Sequence, residues 1–401
     1  MRKVYSGVLV FLAVLGSLLQ GTAVRGAKML VSLSALDAGA SPFQLGLLAA
    51  TFAAFPLLLA VHAGKVSDRI GVKRPMIAGT LIVVFALLVP LIIRGLTGLV
   101  ICAALIGLGH IFFHVSVHNL IGAFADGEAR TRNFAAFSLG GSVSAFLGPS
   151  MTGLVIDNWG FSTAHVMLAG VALVPFAMIA AYPGMIPAAP PQAKLVSAGS
   201  LALLSNPGLR RTLVMSGVTL TGIELFTFYF PLYGRSIDLS ATAIGLVMSS
   251  YAVAAFIVRL GMHRATRWVG DMGVLTISLL VAGATYALVP LMSSAPSLAV
   301  MAFLLGIGLG CAQPLTILLT YNHAPAGRSG EALGMRLTVN KLTQIAVPVA
   351  FGAMGSAFGL LPVFWANSAF LLAGGLVALV ERNVTARNDA AKAVAEQRER
   401  S

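Results

Sequence analysis

The chain has 401 residues, of which 58% are apolar and only 10% charged, and its mean hydropathy is +0.91. Soluble domains carry about 25% charged residues, so a soluble enzyme or binding domain is excluded and a polytopic, all-α membrane protein is expected. The net charge of +13 does not call for a nucleic-acid partner, because the basic residues gather in short segments between apolar runs, as membrane orientation demands.

In chain order, Arg2 and Lys3 precede an apolar run from Val8 to Leu19 that has the look of a secretory signal. The run continues past Gln20 to Leu36 without a cleavage site, so it reads as an uncleaved first helix. Apolar runs of about 20 residues, enough to cross a bilayer, fall at 5–35, 43–63, 75–93, 98–122, 134–157, 162–183, 210–234, 241–262, 272–292, 296–321, 331–356 and 361–380. Twelve membrane helices are therefore expected. With both termini cytoplasmic, the basic residues between spans (among them Lys65, Arg69, Lys73, Arg74, Arg130, Arg132, Lys194, Arg210, Arg211, Arg264, Arg267 and Arg328) lie on the cytoplasmic side. Only Arg94 and Arg235 fall outside. Cys102 and Cys311 sit inside apolar runs and read as small buried hydrophobes, not as a disulfide or metal site.

Pro187, Pro190, Pro191 and Ser205-Asn206-Pro207 interrupt the pattern. The expected organisation is a six-helix half over 1–185, a cytoplasmic linker over 186–208, a second half over 209–381 and a charged tail over 382–401. A constant offset of 199 superposes the halves: Gly46 falls on Gly245, Gly71 on Gly270, Gly107 on Gly306, Gly109 on Gly308, Pro149 on Pro348, Gly153 on Gly352 and Gly160 on Gly359. Glycine and proline recurring at equivalent helix ends indicate an internal duplication.

Between the second and third runs lies Gly64-Lys65-Val66-Ser67-Asp68-Arg69-Ile70-Gly71-Val72-Lys73-Arg74. Membrane orientation accounts for the basic residues but not for Asp68 or the two glycines. The segment resembles the loop signature G-x-x-x-D-R-x-G-x-[KR]-[KR] of the major facilitator superfamily, and meets it at every position. That resemblance implies two pseudo-symmetric six-helix bundles with the solute held between them near mid-membrane, and transport by alternating access. It also implies a gating loop made of Gly64, Asp68, Arg69, Gly71 and Arg74, with both glycines in a tight turn. Asp68 would then sit at the positive N-terminal end of a neighbouring helix, such as the one starting near Gly330. The second copy has Arg267 in place of Asp68, so one latch is expected.

On the fifth run, Gly148-Pro149-Ser150-Met151-Thr152-Gly153 is similar to the G-x-x-x-G-P-x-x-G-G signature of exporters in that superfamily, with Thr152 replacing a glycine. Such spacing equally serves an ordinary packing face. The drug/proton-antiporter group, which this chain resembles, carries an arginine where Ala103 stands here.

Ionisable residues deep in apolar runs mark functional sites. Arg25, Lys28, Glu224, Arg336 and Lys341 qualify, and the offset puts Arg25 level with Glu224, roughly 20 Å from the outer end. Two readings stand for this pair: a proton-exchanging site across a central cavity, or a static buried pair. Lys28 and Arg336 can snorkel. His110, His114 and His118 share one helix face and read, in order, as a polar seam, a proton relay or a metal site. Gln313 is equivalent to His114, and the two are candidate solute contacts.

The expectation is a monomeric secondary transporter of a small organic solute, without cofactor or metal, in a bacterial inner membrane, driven by protons and working as an exporter. Uptake of an organic anion is the alternative, since basic residues surround one acid. A non-transporting sensor or scaffold on the same fold is the alternative of another class. No nucleophile with a base and no phosphate loop suggests an enzyme.

Overall fold

A computed structural model describes residues 2–123, 127–181, 200–325 and 328–400, with side chains at 2–8, 61, 68, 122–123, 127–132, 134–135, 200–202, 329–330 and 381–400 outside the description. Most of the linker, Arg130 and Arg132 among the loop basics, the Asp68 side chain and its expected partner near Gly330 therefore fall outside the described residues.

The described chain is helical almost throughout. Helices α1 (Arg2–Asp37), α2 (Pro42–Ile70), α3 (Lys73–Ile92) and α4 (Gly95–Ala123) are followed by a continuous helical stretch, Gly127–Ala181. Gly160 breaks that stretch with φ 80 and ψ 174, a conformation that costs little only without a Cβ. It divides the stretch into α5 (127–159) and α6 (161–181). The second half repeats the order with α7 (Pro207–Ser236), α8 (Ala241–Val269), α9 (Asp271–Leu288), α10 (Ala295–His323), α11 (Ser329–Phe358) and α12 (Leu360–Arg400). Among the described residues ten stretches are long and apolar enough to span a bilayer. Dividing the Gly160 stretch adds one, and the twelfth helix, α11, falls short because it carries Arg336, Asn340, Lys341 and Gln344. A span can be that polar when it faces a cavity instead of lipid.

The backbone reproduces the 199-residue repeat. Gly71 and Gly270 both have φ 79, Gly160 and Gly359 have φ 80 and 83, and Gly39 (φ 79) corresponds to Asp238 (φ 60), the one described non-glycine residue with positive φ. Ser41 and Ser240, also equivalent, cap α2 and α8 with their hydroxyls, which accept from the amides of Gln44 and Ala243.

One expectation is corrected here. The charged segment is not a loop from Gly64 onward: α2 runs helically through Lys65, Ser67 and Arg69 to Ile70 and stops only at Gly71. Gly64 lies inside that helix, with positive φ absent and nothing near its missing Cβ. Lys73 and Arg74 already belong to α3. The apolar run ends at residue 63, but intrahelical hydrogen bonds carry a helix on into water without apolar side chains. Gly71 alone makes the turn.

The two halves meet through α2 against α11 and α5 against α8. At the face opposite the start of α1, here the far face, these contacts are tight. A Cβ on Gly46 would run into the Pro348 carbonyl of α11, and one on Gly245 into the Pro149 carbonyl of α5. Gly352 and Gly153 meet Pro42 and Ala241 in the same way. Toward the near face Gly64, Gly141, Gly261 and Gly334 on these same four helices have no neighbour within 4 Å of a built Cβ among the described residues. Among the described residues, the close glycine crossings between the halves thus lie at the far face.

Candidate functional site

Between the halves lies a cavity of about 420 Å³, within the roughly 300–1,000 Å³ usual for small-molecule sites. Its walls come from α1, α2, α4 and α5 in one half and from α7, α8, α10 and α11 in the other. Among the described residues, α3, α6, α9 and α12 contribute none of its lining.

Arg25, Glu224, Lys341, His114 and Gln313 all line this cavity. Arg25 lies twelve residues below the end of α1 and Glu224 twelve below the end of α7, so each is roughly 18 Å from the far face. Glu224 is buried, with 4% of its surface exposed, whereas Arg25 is exposed to the open cavity. No ion pair joins the two among the described residues. Glu224 Oε1 instead accepts a hydrogen bond from Gln344 Nε2 at 3.0 Å, and Gln344 Oε1 accepts one from Lys341 Nζ at 2.8 Å. One amide therefore bridges the carboxylate and the ammonium, which lie on α7 and α11. Arg25 makes no hydrogen bond or ion pair among the described residues, so its planar fork of donors is available to a solute. It shares its space with Arg259, Tyr251 and Glu224.

Two cationic groups add to those expected to face the site. Lys28, grouped above with the snorkelling residues, lines the cavity with Nζ 5.1 Å from the centre of the Phe228 ring. Arg259 of α8 was not anticipated from the sequence. It lies in the apolar run 241–262 just before the basic His263-Arg264 pair and is easily read as part of that cluster. Its Nε donates to Gly310 O of α10 in the same half at 2.9 Å, and its Nη1 donates to Ser142 Oγ at 3.1 Å across the interface between the halves. Arg336 faces elsewhere: it is buried and donates to Thr316 Oγ1 at 3.1 Å, a packing role.

The three histidines stack along α4, with ring centres of His110 and His114 5.2 Å apart and those of His114 and His118 4.4 Å apart; Phe137 lies edge-on to the last two. The rings follow one another down the helix and do not converge on a point. No group of three or more metal-binding side chains converges among the described residues. His110 and His114 reach the cavity. His110 Nδ1 and both amide atoms of Gln20, another wall residue, are buried without a partner among the described residues.

The helix-five residues lie at helix crossings. Gly148 packs against Gly26 and Thr22 of α1, while Pro149 and Gly153 abut Gly245 and Ala241 of α8. Of the gating residues, Arg69 and Arg74 are exposed and Gly71 forms the turn. Beside them Asn119 Nδ2 donates to Ser67 Oγ at 3.3 Å and ties α4 to α2.

A polar cavity enclosed by two related six-helix halves, closed at one face, defines a membrane secondary transporter. The sequence matches the Major Facilitator Superfamily over residues 10–348 and again over 213–400, and the chain belongs to that family. Comparison with curated proteins finds no match. Among solved structures, the fold is similar to a peptide transporter, POT, in complex with sulfate, with a TM-score of 0.79, 14% identity and coverage of 93% of this chain and 94% of that one. It is also similar to the nucleoside transporter NupG, with a TM-score of 0.77, 13% identity and coverage of 93% and 99%. A bacterial homolog of the human lysosomal transporter Spinster, captured inward-facing, gives a TM-score of 0.74 at 14% identity, covering 94% and 97%.

Proposed function

We propose that this protein moves a small organic anion together with a proton by alternating access. The observation that carries this reading is the Arg25 guanidinium, without a partner among the described residues, in a cavity that four basic side chains (Arg25, Lys28, Arg259 and Lys341) line together with the carboxylate of Glu224. Charge in a membrane interior needs compensation, and an anionic solute supplies it. Protonation of Glu224 removes a negative charge from the cavity, so proton and anion favour each other's binding. In this reading the two travel in the same direction, and an inward proton gradient drives uptake. Export, the direction suggested by the helix-five motif, has less support, because Gly148, Pro149 and Gly153 are accounted for by packing against α1 and α8. The near face is the cytoplasmic one in this proposal, in a bacterial inner membrane, since it carries the basic segment around Arg69 and Arg74.

The test is ligand-induced thermal stabilisation of the purified protein, followed by flux in proteoliposomes. Organic anions such as benzoate and succinate are expected to stabilise it, and Arg25→Ala to weaken that binding roughly tenfold or more, the effect of losing a charge-assisted hydrogen bond. Glu224→Gln is expected to retain exchange of solute for solute while losing accumulation driven by a pH gradient. Accumulation with unchanged pH dependence in that variant would remove Glu224 from coupling. Stabilisation by tetraphenylphosphonium that requires Glu224 would establish a cation/proton antiporter instead. A bound ligand whose flux no gradient drives would point to a sensor.

A further inference from the structure

The four basic groups of the cavity form two like-charge pairs. All four line the one cavity, and each of two pairs repels electrostatically: Arg25 of α1 with Arg259 of α8, and Lys341 of α11 with Lys28 of α1. Arg25 and Lys28 lie three residues apart on α1, so the two pairs attach to that helix roughly 4.5 Å apart along its axis. Arg259 is fixed in place by Gly310 O and Ser142 Oγ, which leaves guanidinium donors unused. Lys341 has one ammonium donor engaged with Gln344. No carboxylate ion-pairs with Arg25, Arg259 or Lys28 among the described residues. Glu224, bridged by Gln344, offsets one of the four charges. With Glu224 ionised, a singly charged solute would leave two charges uncompensated and a doubly charged one leaves one; with Glu224 protonated, as in the proton-loaded state proposed above, the same solutes leave three and two, so the dianion is favoured in either state.

We infer, on the basis of the anion reading above, that the transported solute carries two acidic groups, one taken between Arg25 and Arg259 and the other between Lys28 and Lys341. The class is small dicarboxylates and chemically equivalent dianions. The first site is suited to a planar carboxylate held by two guanidinium forks. The second consists of two ammonium groups, which bind as point charges and tolerate varied geometry. Arg25 and Arg259 then orient one acidic group, and Lys28 and Lys341 select for the second.

The test compares each diacid with its own half-amide on the full-length protein in detergent. Succinate, glutarate and adipate are titrated against succinamate and the corresponding half-amides, with the dissociation constant as the readout. At least one diacid is expected to bind roughly tenfold or more tightly than its half-amide, as one charge-assisted interaction requires. Arg259→Gln and Lys28→Gln are each expected to shrink that ratio toward one. The wild-type comparison stands by itself even if Arg259→Gln fails to fold. Diacids and half-amides binding alike would overturn the two-site inference and leave the anion reading intact. Binding of tetraphenylphosphonium in place of every anion tested would overturn both.

Discussion

Gln344 illustrates what a single side chain does here. Its amide donates to Glu224 and accepts from Lys341 at once, and in doing so it links the carboxylate to the ammonium without a direct ion pair. Gln344→Leu would leave both groups unpartnered in a poorly hydrated wall. Hydrogen bonds to charged groups are worth about 1.5–3 kcal/mol, so accumulation driven by the pH gradient is expected to fall by roughly one to two orders of magnitude. Solute counterflow, which requires no net proton movement, is expected to survive better. Equal loss in both assays would assign Gln344 a purely structural role.

At the scale of the helix, the far face is closed by a matched pair of contacts. The Asp157 carboxylate at the end of α5 accepts from the amides of Ala241 and Thr242 at 3.0 and 2.7 Å, where α8 begins. Its 199-residue counterpart, Ser356 of α11, accepts from the Phe43 amide at 3.0 Å, where α2 begins. Each half thus caps a helix of the other. An anionic cap at a positive helix end contributes about 1 kcal/mol, and the charged version belongs to α5. Asp157→Ala is expected to favour opening of the far face, detected as faster labelling of a cysteine placed at Ala241, which is buried at the closed crossing. Gly245→Val would drive a side chain into the Pro149 carbonyl and forbid closure altogether. Transport is then expected to be lost, with solute binding persisting only from the far face. Normal transport in Gly245→Val would show that this crossing does not close during the cycle.

At the scale of the whole molecule, the repeat places matched positions at matched depths while allowing their chemistry to diverge. Arg25 and Glu224 are such a pair, as are His114 and Gln313. Only the two halves together give the cavity its balance of one acid against several bases. Among the described residues the halves share few hydrogen bonds at mid-depth, the Arg259–Ser142, Ser249–Phe146 and Ser150–Ser249 contacts, which suits two bodies that rock against each other. Residues 1–185 and 209–401 expressed as separate chains are therefore expected to co-purify, because the glycine crossings of α2 with α11 and of α5 with α8 supply close packing without a covalent link. Failure of the two chains to associate, with each stably inserted, would mean that the connecting segment is needed to set their register.

The sequence by itself determined the span count, the duplication and the depth of the buried charges. Bilayer thickness fixes span length, and a helix rises a constant distance per residue, so depth can be counted along one chain. One feature of the secondary structure was beyond that reading: the helical continuation of α2 through the charged segment depends on surroundings other than lipid. Which way a side chain turns around its helix, and which helix of the other half it meets, was decided by tertiary structure alone. Arg259 reads as loop charge until α8 is packed against α5 and α10. Gln344 reads as an unremarkable amide until α11 meets α7. Packing sets rotation and neighbours through contacts between residues more than a hundred positions apart, and hydropathy along a single chain carries no record of them.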